Sequence, residues 1–293
     1  RDPALVDISM DCIIQAISSA VVGTKQSEIL NDLVVTLASR NCQELVVNQI
    51  MDFVLNVISN EIVDADEPLE ENAPWIKVIT CCRFLLMLSF QNRINVVENV
   101  PSIFFIISLM IGRGSLFFRS TIHALTLNIV HSLATALKFN REQRKLMQSH
   151  LVQLSSEKFR LMFIGSATES TDPFAPINTK QKNKLDAFQM WDMETLTHFF
   201  MEVMKTCSFV SPDTQRKWQQ ELLLLFKSQF LVYNPIILPR LLTAYGVMIR
   251  PGQEATDTLS FVMDCLIDSF VNYSSHKNDL PMASLLCLGQ YCY

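Results

Sequence analysis

His123 and His131 lie in RSTIHALTLNIVHSLATAL, residues 119–137, a run that is otherwise almost uncharged. Paired histidines on a helix can hold zinc, so their spacing decides whether this pair could. Eight helical residues correspond to about 12 Å along the axis and about 80° around it. A metal bound at about 2 Å by each nitrogen cannot be shared over that span without another segment supplying the bridge. The i, i+4 pair of a helical zinc site is absent, as is HExxH. Each histidine is therefore assigned a structural role, half in the core, with its ring nitrogens bonding a backbone carbonyl or a neighbouring helix.

Cysteine nucleophiles and phosphate loops are the next candidates. The eight cysteines are Cys12, Cys42, Cys81, Cys82, Cys207, Cys265, Cys287 and Cys292, with no CxxC pair. Cys81 and Cys82 sit in IKVITCCRFLLMLSF, which predicts a buried helix face where a thiolate is disfavoured. Neither GxSxG nor GxxxxGK occurs, and the GxGxxG pattern that Gly112 and Gly114 begin ends at Phe117. Trp75, Trp191 and Trp218 are followed four residues later by Ile79, Thr195 and Leu222. No asparagine ladder of the kind that clamps an extended peptide accompanies them, so they are assigned to helix starts and packing. The residues thus nominate no catalytic, cofactor-binding or metal-ligating group, and no cofactor.

The elements carrying these residues are legible from punctuation and period. Among 293 residues there are only seven glycines and eleven prolines, and apolar residues recur at helical spacing, as in Leu30, Leu33, Val34 and Leu37. Helices are expected near residues 3–22, 26–39, 43–60, 75–90, 101–111, 115–138, 141–154, 157–164, 190–208, 212–231, 235–249, 255–272 and 279–290. Asn140 with Gln143 resembles a capping box, and Ser211 before Pro212 offers a cap and a first-turn proline. Two stretches break the pattern: an acidic loop about 62–74, containing DADEPLEEN, and a polar loop about 166–187. The acidic loop lacks the fixed ligand geometry of a calcium loop and is expected to be solvated. Successive helices paired about every 40 residues fit an all-α, HEAT/armadillo-like α-solenoid, with 1–293 a single helical-repeat segment.

Composition bounds the rest. Apolar residues make up 49% of the chain and the mean hydropathy is +0.23. The most apolar stretch, VPSIFFIISLMIG at 100–112, is shorter than the roughly 20 residues a spanning helix needs and reads as a core helix. The first residue is arginine with no secretory signal behind it, and the chain ends on the apolar LLCLGQYCY. Both ends look cut, as in a piece of a longer chain. A net charge of −5, from 24 basic and 29 acidic residues, argues against a nucleic-acid partner. The embedded, unpaired cysteines suggest a reduced, cytoplasmic setting.

One segment is more particular than any motif. FLLMLSFQNRINVVENVPSIFFIISLMIGRGSLFFRSTIHALTLNIVHSL, residues 84–133, resembles the neurofibromin and fungal Ira-type family in the helical region after its Sec14-PH module, the Ira type being favoured. EKFRLMFIG at 157–165 and YNPIILPRLLTAYG at 233–246 continue the resemblance in the same order, LASRNCQELVVNQI follows more loosely, and the tail beyond about Gly252 least of all. The resemblance implies a helical scaffold within a Ras GTPase-activating protein, a negative regulator of Ras/cAMP signalling. In that family a separate domain supplies an arginine to the Ras active site. Arg83, Phe84 and Leu85 have the letters of a short GAP signature in the wrong order, and Arg119 lies in a helix, so neither arginine inherits that role. The implied partners are the rest of the parent chain, a second copy in a homodimer, and Ras through the separate domain. The implied localisation is cytoplasmic, peripheral at membranes through other domains. The other reading is a free-standing HEAT-like adaptor that binds a protein or peptide on its concave face.

Overall fold

The computed structural model describes residues 3–17, 24–39, 42–60, 69–90, 94–165, 190–210, 212–229, 238–249, 256–271 and 280–291. Among these residues every regular element is helical and no strand occurs, so the chain is all-α. The helices are α1 (Pro3–Ala16), α2 (Lys25–Leu37), α3 (Gln43–Asn60), α4 (Ala73–Phe90), α5 (Val96–Met110), α6 (Leu116–Ala136) and α7 (Arg141–Leu154). They continue with α8 (Glu157–Ile164), α9 (Met190–Ser208), α10 (Pro212–Gln229), α11 (Leu238–Met248), α12 (Thr256–Val271) and α13 (Leu280–Tyr291).

Local chemistry fixes several of the starts. At α7 the Asn140 side chain accepts from the Gln143 N–H while the Gln143 side chain accepts from the Asn140 N–H, each at 2.9 Å. This is the capping box expected from the sequence, with two orphan donors satisfied reciprocally. Ser115 and Ser156 cap α6 and α8 by accepting from Phe118 and Phe159. The expected cap Ser211 lies outside the described residues, as do the polar loop 166–187 and residues 62–68 of the acidic loop.

The rest of the expected acidic loop is ordered differently. Leu69–Glu71 forms a short 3-10 turn with Leu69 buried, and α4 starts at Ala73, where Asn72 accepts from the Trp75 N–H. Burial of one leucine within the acidic letters anchors the turn. Helix α5 also starts earlier than expected. Its first turn is VVEN, begun by Glu98 and Asn99 donating to the Asn95 carbonyl, so Pro101 lies inside the helix and does not lead it. An interior proline costs about 3 kcal/mol. Full burial of Val100, Ile103, Phe104, Phe105, Ile106 and Ile107, at about 1.5–3 kcal/mol for each large side chain, outweighs that cost.

The chain divides into two compact units, one of Arg1–Val100 with Met110–Ala187, the other of Pro101–Leu109 with Phe188–Tyr293. In the first unit α1 packs on α3, both α2 and α3 pack on α4, α4 packs on α6, and α6 packs on α7 and α8. Helix α4 is its centre: Trp75, Ile79, Cys82, Phe84, Leu85 and Leu88 are all buried. With 18 residues and a mean hydropathy of 1.5, α4 is long and apolar enough to cross a membrane, yet 61% of it is buried inside the protein, as in a core helix. The sequence marked 100–112 as the most apolar stretch, and the buried helix face expected of IKVITCCRFLLMLSF is that of α4.

In the second unit α9 packs on α10 and α11, α10 on α11, and both α11 and α12 on α13. Phe104 of α5 stacks on Phe200 with ring centroids 3.9 Å apart, and Phe105 meets Phe226 at 5.4 Å. Gly246 permits the close approach of α11 to α13, since a Cβ there would stand 3.0 Å from the Cα of Cys287. In both units several buried threonine hydroxyls are satisfied within their own helix. Thr80, Thr126, Thr197 and Thr243 each donate to the carbonyl four residues back, whereas the buried Ser284 Oγ of α13 has no hydrogen-bond partner among the described residues.

Candidate functional site

His123 and His131 occupy different environments. His123 is half-buried; its Nε2–H donates to the carbonyl of Leu154, the last residue of α7, at 3.0 Å, and its ring lies 5.0 Å from that of Phe163. That is the role expected of it, and the carbonyl acceptor places the proton on Nε2. His131 is exposed, which corrects the expectation that it also lies half in the core. The 80° of rotation that separates it from His123 carries it out of the packed face of α6.

Arg119, one turn before His123, does the same work for another helix. Its Nε donates to Gly114 O at 2.9 Å and its Nη1 to the carbonyl of Ile164, the last residue of α8, at 3.2 Å. Terminal helix carbonyls have no partner within their own helix, and a cation beside them also complements the helix dipole. The second unit repeats the device. Gln219 donates to Met248 O at the end of α11 at 2.9 Å, and Arg240 donates to Leu109 O near the end of α5 at 3.1 Å. Side chains from neighbouring helices thus close helix C-termini. Of this pattern the sequence foreshadowed only the carbonyl bond of His123; Arg119, one turn before it, is the one charged side chain of the helix.

Arg83 is also engaged inside the fold: Nη1 donates to Ser27 Oγ at 3.3 Å and the guanidinium lies 5.0 Å above the Phe117 ring. Gly112 and Gly114 both have positive φ, 67° and 70°, and shape the turn between α5 and α6. Between them Arg113 has a buried, unpartnered Nη2, and burial holds its guanidinium down to about 10, still charged at neutral pH.

Cys81 and Cys82 are fully buried on α4. Burial pushes the Cys82 thiol up to about 12. Cys81 is raised well above its usual range, first by burial and then by the neighbouring Cys82, against a smaller opposing effect of Lys77. Burial likewise raises Cys207 and Cys287 to about 12, with a further contribution to Cys287 from Cys265. A thiolate nucleophile is disfavoured at all four positions. Among the described residues no three His, Cys, Asp or Glu side chains gather as a metal site would require. Trp75 and Trp218 are buried packing residues, whereas the side chain of Trp191 lies outside the described part.

Open clefts occur among the described residues. One of about 620 Å³ in the first unit is lined by Gln43, Glu44, Asn95, Asn99 and Thr135 among others; one of about 420 Å³ in the second by Pro101, Glu221 and Leu224 among others. Among the described residues that line them, each has a single carboxylate and no second titratable group to act with it. Large apolar side chains also face solvent, among them Leu5, Ile8, Ile29 and Leu33 on α1 and α2, and Met263, Ile267, Met282 and Leu285 on α12 and α13. No family model matches the chain.

Proposed function

We propose that this chain is a non-catalytic scaffold segment of an Ira-type, neurofibromin-like Ras GTPase-activating protein. It positions the GAP domain and supports self-association or partner binding. The observation that carries this reading is the co-linear resemblance of residues 84–133, 157–165 and 233–246 to that family's helical region. The architecture we infer with it is a HEAT/armadillo-like solenoid. In support, alternate helices pack on one another within each unit: α2 on α4 and α4 on α6 in the first, α9 on α11 and α11 on α13 in the second. Stacking of every second helix is what layered helix pairs produce. Arg83 and Arg119, the arginines nearest a GAP-like context, are tied to Ser27, Gly114 and Ile164, which favours a structural role for both.

On this reading the setting is cytoplasmic and the link to Ras runs through a domain outside this segment. Single-turnover GTP hydrolysis by purified Ras tests it. Adding the 293-residue chain leaves the intrinsic rate unchanged, whereas acceleration would mean that the segment is itself catalytic.

A further inference from the structure

Charge is distributed unevenly along the chain. Residues 101–165 hold eight Lys or Arg and two Glu, a net +6 in a chain whose total is −5, so the remainder carries −11. Two of the eight turn into the first unit: Arg119 closes α8, and Arg113 buries its Nη2. The other six, Lys138, Arg141, Arg144, Lys145, Lys158 and Arg160, are exposed, and all lie on α7, on α8 or in the turn that leads into α7. Both helices pack on α6 and on each other, so the six share one region of the first unit. On α7 the helical period sets Arg141, Lys145 and Val152 opposite the buried Met147, His150 and Leu154. The protein itself neutralises little of this charge. Lys145 meets the exposed Glu142 at 3.1 Å, and Arg144 Nε donates to Phe139 O at 3.0 Å. Lys138, Arg141, Lys158 and Arg160 have no ion pair among the described residues.

We propose that the outer face of α7 and α8 docks on an anionic lipid bilayer, its six basic side chains meeting the headgroups. Each base near a negatively charged leaflet strengthens binding about fivefold, so several together suffice for reversible attachment. Three apolar side chains decide for a bilayer over a soluble acidic polypeptide. Leu146, Val152 and Leu161 are 45%, 65% and 44% exposed, and they stand on the same two helices as the bases. Interleaved bases and apolar tips are what a helix lying in the membrane interface presents, the tips entering below the headgroups. The long Lys and Arg stems let the charged ends reach phosphate while the helix stays level with it. The acidic remainder of the chain is repelled by the same leaflet, so one face docks and the orientation is fixed.

Co-sedimentation of the whole 293-residue chain with lipid vesicles tests the assignment. One set of vesicles is phosphatidylcholine, and in the other about a third of the lipid is phosphatidylserine. The chain sediments with the second set at about 0.1 M salt, stays in solution with the first, and is released at about 0.5 M salt. Arg141→Gln with Lys145→Gln weakens binding at least about tenfold. Lys205→Gln with Lys217→Gln removes the same charge from exposed positions on α9 and α10 and leaves binding unchanged. Val152→Ser weakens binding about threefold, through its lost apolar contact. Should the α7 pair lose helical circular dichroism, Glu142→Gln gives the reverse comparison: it removes the acidic side chain of α7 and tightens binding about fivefold. Binding to neither set of vesicles, or equally to both, overturns the proposal, as does equal weakening by the two double substitutions. Soluble polyglutamate that binds the chain and is not displaced by phosphatidylserine vesicles also overturns it, because the face then belongs to an acidic protein segment. Vesicle binding and GTP hydrolysis by Ras are separate readouts, so this proposal and the scaffold reading fail independently.

Discussion

Arg119 and His123 stand one turn apart on α6 and close the C-termini of two different helices, Arg119 that of α8 through Ile164 O and His123 that of α7 through Leu154 O. One face of α6 thereby sets where its two neighbours end. Removing either donor leaves a partly buried carbonyl unpaired, at about 1–3 kcal/mol. His123→Ala is expected to lower the urea midpoint and to speed hydrogen exchange at the end of α7. Arg119→Met should do the same at the end of α8. Exchange that rises equally at both ends in either variant would contradict separate capping.

Two glycines of the second unit give predictions of opposite sign. Gly246→Ala pushes a methyl to 3.0 Å from backbone of α13 and is expected to destabilise by about 1–3 kcal/mol. Gly289→Ala enters open space in a helix and should stabilise by about 0.5–1 kcal/mol. Thermal melts of the two variants settle the comparison, and a stabilising Gly246→Ala would refute the close α11–α13 approach.

The buried thiols predict a pH dependence. Cys82, Cys207 and Cys287 titrate near 12 in the folded chain against about 9 for an ordinary thiol, so folding holds their protons. Their full contribution is present below pH 9 and is lost as pH rises from 9 towards 12, by up to about 1.4 kcal/mol per pH unit for each group. Urea midpoints should therefore fall steadily above pH 9. In the native protein at pH 8, Cys12, the exposed cysteine among the described residues, should react quickly with a thiol reagent, and Cys81 and Cys82 should stay silent. Fast labelling of Cys81 or Cys82 would show that α4 is not the core helix.

Asn140→Ala removes half of the capping box and is expected to cost about 1 kcal/mol, with Asn140→Ser nearly neutral. Urea unfolding of the two variants distinguishes lost capping from lost packing, since Asn140 is exposed.

Most helix boundaries were legible because their causes are local: the Asn140 and Gln143 letters, the scarcity of glycine and the 3.6-residue period each act within a few positions. Pro101 misled because its local penalty is overcome by the burial of Phe104, Phe105 and their neighbours, which no short window records. Leu69 inside the acidic run is the same case on a smaller scale. His123 and His131 look alike as letters, and only the packing of α7 and α8 on α6 separates a capping residue from an exposed one. The caps made by Arg119, Gln219 and Arg240 join residues 45, 29 and 131 positions apart, beyond the reach of any periodicity.

The most direct test of the scaffold reading is capture of the native protein from cells through an antibody to this segment, with its mass and its effect on Ras measured together. The account predicts a polypeptide much longer than 293 residues that stimulates GTP hydrolysis by Ras, while the segment alone does not. A captured protein no longer than the segment, or one without effect on Ras, would contradict it.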